Sequence, residues 1–287
     1  MIFERLCIIG VGLIGGSLSL ALKQAGQVGE VVGYARSADT RQQALNLGVI
    51  DIAAENVTDA VRGADGVFLA VPMGAMASVL GEIAPHLSAT AVITDGGSVK
   101  SPVVEAAALA LGDKAGQFVA GHPIAGTEKS GPAAAFATLY EEHQVILTPT
   151  DKTNMAAIQT VRAMWEAVGA VVTEMEVAHH DAVLAATSHL PHVLAFNLVD
   201  ILAQQDDCQD VLRYAAGGFR DFSRIASSDP VMWRDICVNN RDAMLGLLTE
   251  YQAGLDKIAA AIKSADEDYL LSVFERAKSA RDTRFTK

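Results

Sequence analysis

Two polar stretches in the first half of the chain carry side chains suited to proton transfer. His122 lies in residues 121–131 (GHPIAGTEKSG), directly after an apolar run and before a proline. A histidine held on such a rigid turn can exchange a proton near neutral pH. Ser98 lies in residues 95–101 (DGGSVKS), where its hydroxyl can bond a substrate or a catalytic histidine. The alternatives are a structural histidine and a serine that caps a helix.

The second half of the chain adds candidates for binding an acidic substrate. Ser188 and His192, in residues 187–192 (TSHLPH), are four positions apart and would share one face of a helix, although a buried structural histidine is the alternative. Residues 217–235 contain three arginines in an otherwise acidic chain: Arg220, Arg224 and Arg234. Because a guanidinium group binds a carboxylate through two parallel hydrogen bonds, one of these arginines is a candidate clamp.

A glycine-rich turn near the N-terminus would position a cofactor. Residues 6–16 read LCIIGVGLIGG, which is an apolar strand followed by the G-x-G-x-x-G spacing and a helix. Gly10 permits the tight turn, Gly12 lets backbone N–H groups approach a pyrophosphate, and Gly15 lets the helix pack closely on the strand. The predicted dinucleotide contacts are Gly10, Gly12, Leu13, Ile14 and Gly15. A glycine turn without a ligand is the alternative.

The end of the second strand bears on which dinucleotide is bound. A site selective for NAD places an acidic residue there, which bonds the ribose 2′-OH and repels a 2′-phosphate. This chain has Ala35 instead, followed by Arg36 and Ser37, a cation and a hydroxyl. We therefore predict NADP, with these three residues beside the 2′-phosphate. NAD stays open, because Asp39 could turn back to the ribose and Arg36 could be a solvated loop residue.

Apolar segments alternate with helical segments as far as residue 175. The predicted strands, after the first, are residues 30–36, 66–71, 91–95, 118–120, 144–148 and 170–175, and the helices between them include 37–47, 73–83, 100–111 and 154–168. Continuous apolar strands alternating with helices indicate a parallel sheet that is covered on both faces. We expect an α/β fold whose residues 1–175 form a doubly wound, Rossmann-type domain.

Residues 176–287 predict helices alone, and we expect them to form a helical domain for substrate binding and dimerisation. The expected helices are 178–204 with a kink at Pro191, 206–216, 220–226, an unbroken helix over 229–263, and a last one begun by a capping box of Ser264 and Glu267. The helix over 229–263 would be about 50 Å long. Because one domain cannot cover its whole apolar face, we expect a homodimer through these helices.

The composition argues against several classes of partner. The formal net charge of −12 is unsuited to nucleic acid or an anionic membrane surface. Residues 6–22 are uncharged and resemble a signal peptide, but Glu4 and the fingerprint glycines contradict that interpretation, and we expect no membrane-spanning segment. The three cysteines and seven histidines show no metal-like spacing, so we expect no metal. The odd number of cysteines indicates a reducing, cytoplasmic setting.

Taken together, the motifs resemble those of the prephenate dehydrogenase family of tyrosine biosynthesis, which includes arogenate and cyclohexadienyl dehydrogenases. The resemblance covers nearly the whole chain and rests on five stretches in order: IGVGLIGGS, DGGSVK, GHPIAGTEKSG, TSHLPH and GGFRDFSRIASSDPVMWRDI. It implies oxidative decarboxylation of prephenate or arogenate. Hydride passes from the ring carbon that bears the hydroxyl to the nicotinamide, the ring carboxylate leaves as CO2, and the product is 4-hydroxyphenylpyruvate or tyrosine.

The resemblance also implies roles for individual residues. His122 would take the proton of the ring hydroxyl, Ser98 would orient that hydroxyl and His122, and Arg224 would bind a substrate carboxylate. Four further residues would line the substrate pocket: Ser188, His192, Thr127 and Glu128.

Two other classes of protein remain as alternatives. β-Hydroxyacid dehydrogenases of the NAD(P)-dependent type depend on a lysine in the helical half, and this chain has none between Lys152 and Lys257. A non-enzymatic, dinucleotide-sensing regulator would need the glycine turn, but it would have no use for His122, Ser98 and Arg224.

Overall fold

The computed structural model describes residues 1–127, 129–205 and 213–285, with side chains described as far as residue 283. The chain forms two compact units, Met1–Asn240 and Arg241–Lys287. The expected domains, residues 1–175 and 176–287, do not coincide with these units, because the helices that follow residue 175 belong to the first unit. The expected functional boundary stays a prediction.

Parallel strands form the main sheet of the first unit. In chain order they are β1 (Phe3–Ile9), β2 (Val28–Tyr34), β3 (Ile52–Ala53), β4 (Gly66–Leu69), β5 (Val92–Asp95) and β6 (Phe118–Val119). They lie in the spatial order β3-β2-β1-β4-β5-β6, and every neighbouring pair is parallel. This is the strand order of a dinucleotide-binding fold, and it confirms the predicted α/β, Rossmann-type class.

Helices cover both faces of this sheet. They are α1 (Leu13–Gln24), α2 (Ala38–Asn46), α3 (Val57–Val61), α4 (Met73–Ile83), α5 (Ser101–Leu111) and α6 (Met155–Ala167). Ile8 of β1 joins one buried apolar cluster and Ile9 joins the other. Successive side chains of a strand point to opposite faces, so the core has two layers with the sheet between them.

The last three strands form a second sheet, which corrects the expectation that they continue the first one. They are β7 (Gly121–Pro123), β8 (Gln144–Leu147) and β9 (Val171–Glu174). β7 is antiparallel to β8, while β8 and β9 are parallel. An apolar pattern predicts that a strand exists but does not identify its partner, and β7 is too short to show a pattern at all. His122 therefore lies on a strand, opposite Ile146.

The helices that complete the first unit follow the second sheet. They are α7 (Val177–Leu184), a π-helical turn (Ala185–His189), α8 (Leu190–Ala203), α9 (Gly217–Ser223), a 3₁₀ turn (Arg224–Ser227) and α10 (Pro230–Asn239). The irregularity expected at Pro191 is the π-turn just before it. The helix predicted at 206–216 lies outside the described residues from 206 to 212, and so does Cys208.

The unbroken helix expected over residues 229–263 is wrong. Asp229 caps α10 as expected, accepting a hydrogen bond from the backbone N–H of Met232 at 2.9 Å. The helix ends at Asn240, whose backbone leaves helical geometry with φ −109° and ψ 32°. The Asn240 amide donates to the carbonyl oxygen of Asp181 at 2.9 Å and lies 3.1 Å from Nδ1 of His189. These partners are distant in sequence, so no local sequence pattern predicts the break in the helix.

The second unit contains two helices, α11 (Arg241–Ser264) and α12 (Glu267–Phe285). The capping box expected at Ser264 is wrong, because the Ser264 hydroxyl donates to the carbonyl of Ala260 at 3.0 Å. Asp266 caps α12 instead and accepts from the N–H of Tyr269 at 3.0 Å.

One helical run also corrects the expectation about membrane spans. Residues Val177–Ala203 are long and apolar enough to cross a membrane by length and composition alone. The run nevertheless carries buried polar side chains, His180, Asp181 and His189, that hydrogen-bond to other parts of the first unit. Such contacts are typical of a core helix.

Candidate active site

The glycine turn has the shape that a dinucleotide pyrophosphate requires. Gly10 has φ +102°, and a Cβ there would lie 2.1 Å from the carbonyl oxygen of Ala70. A Cβ at Gly15 would lie 2.1 Å from the carbonyl oxygen of Gly10, so both positions need glycine for the fold itself. Gly12 differs, because a Cβ there would meet nothing within 4 Å. The open side of the turn is therefore at Gly12, where a ligand would approach the backbone.

The start of α1 supplies free hydrogen-bond donors beside Gly12. No side chain caps this helix, so its first N–H groups keep their capacity to bind a phosphate. Leu13 is buried, and the carbonyl of Ile14 accepts from the Tyr140 hydroxyl at 2.6 Å, which braces the turn from the protein side. The residues present therefore fit a dinucleotide.

The end of β2 is cationic. Ala35 is half-buried, Arg36 is exposed, and the Ser37 hydroxyl caps α2 by accepting from the N–H of Thr40 at 3.3 Å. Arg41 also reaches this point, and its Nη1 donates to the carbonyl of Ala35 at 2.6 Å. The motif does not predict Arg41. An arginine near the start of the helix that follows the second strand could, however, have indicated a contact at this strand end.

His122 is a buried, neutral base. It is 8% exposed, and its Nδ1 lies 2.9 Å from Nε2 of His180. Burial above all, and then the positive charge of Lys100, lower the pKa of His122 well below its ordinary value. No hydrogen bond within the described part of the chain involves the other ring nitrogen, Nε2. The histidine can therefore accept a proton at neutral pH.

The loop that carries Ser98 is held against both the glycine turn and the strand of His122. A Cβ at Gly96 would lie 3.3 Å from Cγ2 of Ile14, so the backbone of the loop lies next to the first turn of α1. The carboxylate of Asp95 accepts from the N–H of Gly97 at 2.8 Å and of Gly121 at 3.1 Å. Ser98 is itself half-buried.

A fully buried ion pair secures this junction. The Lys100 ammonium group pairs with Asp95 and donates to the carbonyl of Gly121 at 2.6 Å. Burial lowers the pKa of Lys100, while Asp95 opposes that shift. Since Gly121 immediately precedes His122, the pair fixes the spacing between the Ser98 loop and the strand of His122.

Asp181 is the cap of α5, which removes the alternative that Ser98 caps this helix. Its two carboxylate oxygens accept from the backbone N–H of Lys100 at 2.7 Å and of Ser101 at 2.8 Å. It also lies 2.8 Å from Nδ1 of His180. Burial alone would raise the pKa of Asp181, but hydrogen bonds from His180, Ser101 and Lys100 outweigh it and lower the pKa to about 2.

His180 and Asp181 are functional candidates that the motifs do not predict. Helical spacing could have indicated them, because residues 180, 181, 184 and 185 share one face of the helical run. That face is buried in the structure, whereas His179 is exposed.

The helices bring several predicted substrate-binding residues together. His192 donates from Nδ1 to the carbonyl of Ser188 at 2.8 Å and stacks on Trp233 with ring centroids 3.7 Å apart. Burial lowers the pKa of His192, and the nearby charge of Arg224 adds to that shift. Arg224 is exposed, so its guanidinium group is available to an anion.

Other predicted residues are not joined to this group. Arg234 pairs with Asp235 at 2.6 Å, whereas Arg220 is exposed. Thr127 is exposed, and its hydroxyl accepts from the N–H of Lys129 at 3.2 Å. Glu128 lies outside the described residues. Within the described ranges, no three His, Cys, Asp or Glu side chains are placed to hold a metal ion.

Comparison with known families matches both halves of the chain. Residues 18–174 match the model described as prephenate dehydrogenase, nucleotide-binding domain, and residues 176–276 match prephenate dehydrogenase, dimerization domain. The first match begins after the glycine turn, so the geometry of that turn is independent support for a dinucleotide site.

Individual relatives agree with these matches. The chain is 41% identical to a cyclohexadienyl dehydrogenase of Zymomonas mobilis, over 98% of this chain and 96% of that protein. It is 38% identical to a prephenate dehydrogenase of Bacillus subtilis, over 97% of this chain and 76% of that protein. The crystal structure of a prephenate dehydrogenase from A. aeolicus, in complex with hydroxyphenyl propionate and NAD+, superposes with a TM-score of 0.89 at 37% identity, covering 97% of each chain. The chain belongs to the prephenate dehydrogenase family, as its motifs predict.

Proposed function

We propose that this protein oxidises and decarboxylates prephenate, arogenate or both, with hydride transfer to NAD(P), in the synthesis of tyrosine. The observation that carries the proposal is the position of His122. It is a buried, neutral histidine on a strand that the Asp95–Lys100 pair joins to the Ser98 loop, and Gly96 of that loop lies next to Ile14 in the first turn of α1. This proximity supports a base and a dinucleotide that meet at the Ser98 loop.

The chemistry needs a base at this point. The nicotinamide, when bound, supplies the acceptor for a hydride from the ring carbon that bears the hydroxyl. As this hydride departs, the hydroxyl becomes acidic and its proton passes to Nε2 of His122. The base therefore stabilises the transition state more than the bound substrate. Loss of the ring carboxylate as CO2 then leaves an aromatic product.

The other predicted residues bind and orient. We infer that Ser98 hydrogen-bonds the reacting hydroxyl and that Arg224 is a bidentate partner for a substrate carboxylate. His192 keeps Nε2 for the substrate because its Nδ1 is committed to the Ser188 carbonyl. Thr127 and Glu128 remain predicted contacts of the substrate side chain.

For the cofactor we favour NADP over NAD. Ala35 occupies the position where an acidic residue would repel a 2′-phosphate. Arg36 and Ser37 follow it, and Arg41 adds a second guanidinium group at the same strand end.

We also propose a cytoplasmic homodimer. Cys7 and Cys237 are free thiols, as expected in a reducing compartment. The second unit exposes large apolar side chains that a second copy would cover: Leu245, Tyr251, Leu255, Ile262, Leu271 and Phe274. Light scattering of the purified protein should give twice the chain mass, and a monomeric mass would contradict this assignment.

A turnover assay tests the proposed activity directly. Purified protein is incubated with prephenate or arogenate, each with NAD+ or NADP+, and reduced cofactor, CO2 and aromatic product are measured. We expect all three products in equal amounts with at least one pairing. Dinucleotide binding without turnover in any pairing would favour a regulator. A parallel incubation with 3-hydroxy acids tests the other alternative, and their oxidation without release of CO2 would favour the β-hydroxyacid class.

A further inference from the structure

We propose that His180, held by Asp181, is the positioning residue that sets the tautomer of His122 and so leaves Nε2 of His122 as the free base. The expected effect on kcat rests on the proposed function, whereas the expected tautomer of His122 does not. The inference follows from three consecutive hydrogen-bonded groups. With a neutral His180, the bonds on the Asp181 side determine the direction of every bond in the chain.

Asp181 is the fixed end of the chain. Each of its carboxylate oxygens accepts a backbone N–H from the start of α5, at 2.7 Å from Lys100 and 2.8 Å from Ser101. Since both N–H groups can only donate, the carboxylate is held in one orientation as an acceptor. It is 5% exposed, so water does not compete for these bonds.

The direction of the remaining bonds follows from this acceptor. Nδ1 of His180 lies 2.8 Å from the ionised Asp181 and must therefore carry its proton. In a neutral His180, Nε2 is then a bare acceptor. It lies 2.9 Å from Nδ1 of His122, so His122 donates from Nδ1. A neutral imidazole has a single ring proton, and this leaves Nε2 of His122 as a lone pair.

The reverse arrangement would disable the base. If Nδ1 of His122 were the acceptor, its proton would sit on Nε2 and that nitrogen could not take the hydroxyl proton. With the observed chain, the O–H bond of the substrate breaks and the Nε2–H bond of His122 forms, while the Nδ1 proton stays where it is. The resulting imidazolium keeps a hydrogen bond to His180, which is in turn bonded to the Asp181 carboxylate.

The charges that face His122 are consistent with this role. Lys100 disfavours the imidazolium, but it is paired with Asp95. His189 also disfavours it; burial lowers the pKa of His189 to about 4, so it is neutral near pH 7. A positive charge on His180 would disfavour the imidazolium as well, whereas Asp181 favours it. His180 is the group that connects this favourable carboxylate to the base.

The same carboxylate also holds the Ser98 loop. The two N–H groups from which Asp181 accepts belong to residues 100 and 101, two and three positions after Ser98. One side chain therefore sets the position of the loop and, through His180, the orientation of the base. This shared anchor explains why α7 packs against the start of α5.

Two variants of one residue test the proposal. His180→Phe keeps a planar ring but removes both hydrogen bonds, and we expect kcat to fall about 10²-fold because orientation of the base is lost, with substrate and cofactor KM nearly unchanged. His180→Gln offers an amide oxygen to His122 and an N–H to Asp181, and it should recover most of that loss. His179→Gln, a change at the exposed neighbouring histidine, is the matched control and should leave kcat unaltered.

A direct measurement of the tautomer distinguishes positioning from packing. Long-range proton–nitrogen correlation spectra of histidine-labelled protein report which ring nitrogen is protonated, and His122→Asn assigns the His122 signals. We expect Nδ1–H with bare Nε2 in the wild type and in His180→Gln, and a mixture of tautomers in His180→Phe. Binding of reduced cofactor, followed by fluorescence, shows that each variant is folded.

Several outcomes would overturn the assignment. These are wild-type kcat in His180→Phe, an unchanged His122 tautomer in that variant, or equal impairment of the Phe and Gln variants. If the wild type turned over neither prephenate nor arogenate, the proposed function would fail, whereas the spectra would still support or overturn the tautomer assignment.

Discussion

The glycine turn of the main sheet and the proposed proton-transfer group around His122, on the second sheet, are built in opposite ways. The turn comes from one continuous segment, and its working atoms are backbone N–H groups exposed by Gly12. The proton-transfer group joins three distant segments through buried charges: Asp95 with Lys100, His122, and the pair His180 and Asp181. A backbone site tolerates side-chain changes around it. A buried side-chain network does not, because each lost partner leaves a polar group unsatisfied.

The largest effect should come from His122 itself. We expect His122→Asn to lower kcat by about 10²–10⁴-fold, the usual range for loss of a general base, and to leave cofactor affinity nearly unchanged. Steady-state kinetics and cofactor titration measure the two quantities separately. A variant with near-wild-type kcat at its pH optimum would show that another group takes the proton.

The pH profile sharpens the same assignment. Since the pKa of His122 lies well below its ordinary value, the base is neutral through the physiological range. We expect kcat/KM to be flat near pH 7 and to decline only in more acid solution, where protonation removes the acceptor. A decline that begins above pH 7 would contradict a buried histidine base.

The buried ion pair should make the next largest difference. Lys100→Met leaves the Asp95 carboxylate buried without its cation, and we expect the free energy of unfolding to fall by about 3–5 kcal/mol. Lys23→Met is the matched control, because Lys23 pairs with a partly exposed carboxylate of Asp51 and should cost about 0–1 kcal/mol. Denaturant titration compares them, and equal losses would show that the pair at the site is no stronger than a surface one.

The contrast between the two regions also explains how far the sequence predicts the molecule. The glycine turn and helix α4 follow from local pattern, and α4 spans the predicted residues 73–83. The proposed roles of His180 and Asp181 do not follow from local pattern. They depend on the packing of α7 against α5, which brings these two residues to His122 and to the start of α5. The break at Asn240 has the same cause, since its amide bonds Asp181 and lies beside His189, far away in sequence. Local propensity cannot encode a contact between segments that only the fold brings together.

Short elements set the other limit. Strand β7 has three residues, and β3 has two. Neither can display a periodicity of two, and both take their strand geometry from a neighbour. The predicted position of His122 at the carboxyl edge of the main sheet is wrong, because the strand that carries it belongs to a second sheet. Its predicted chemistry stays a prediction.

A substitution of Arg224 tests whether this arginine binds a substrate carboxylate. If Arg224 holds a substrate carboxylate, Arg224→Ala should remove about 2–3 kcal/mol of charged hydrogen bonding and raise the substrate KM accordingly. The cofactor KM should hardly change. Arg220→Ala is the matched control, since Arg220 is exposed in the preceding helix. An unchanged substrate KM in Arg224→Ala, with a raised one in Arg220→Ala, would transfer the clamp to Arg220.

The smallest expected effect concerns the strand end beside the cofactor turn. A 2′-phosphate brings about two negative charges to the place where Ala35 stands, and Arg36 is exposed there, with Asp39 three residues further on. We expect the wild type to use NADP at least as well as NAD. Arg36→Ala should weaken NADP by about 1–3 kcal/mol, the scale of a charged hydrogen bond, and leave NAD nearly untouched.

A substitution of Arg41 shows how much of the expected NADP preference depends on Arg41 rather than on Arg36. Its Nη1 already donates to the carbonyls of Ala35 and Arg36, at 2.6 and 3.2 Å, so its charge is held beside the proposed phosphate site by the backbone. Arg41→Ala should therefore weaken NADP and, by releasing those carbonyls, raise the KM for NAD slightly as well. Arg62→Ala, at an exposed arginine just after α3, controls for the loss of one positive charge. Paired KM values for both cofactors measure every variant. If the wild type strongly preferred NAD and both Arg36→Ala and Arg41→Ala were neutral, the cations at this strand end would be solvated residues, and cofactor choice would depend on the ribose alone.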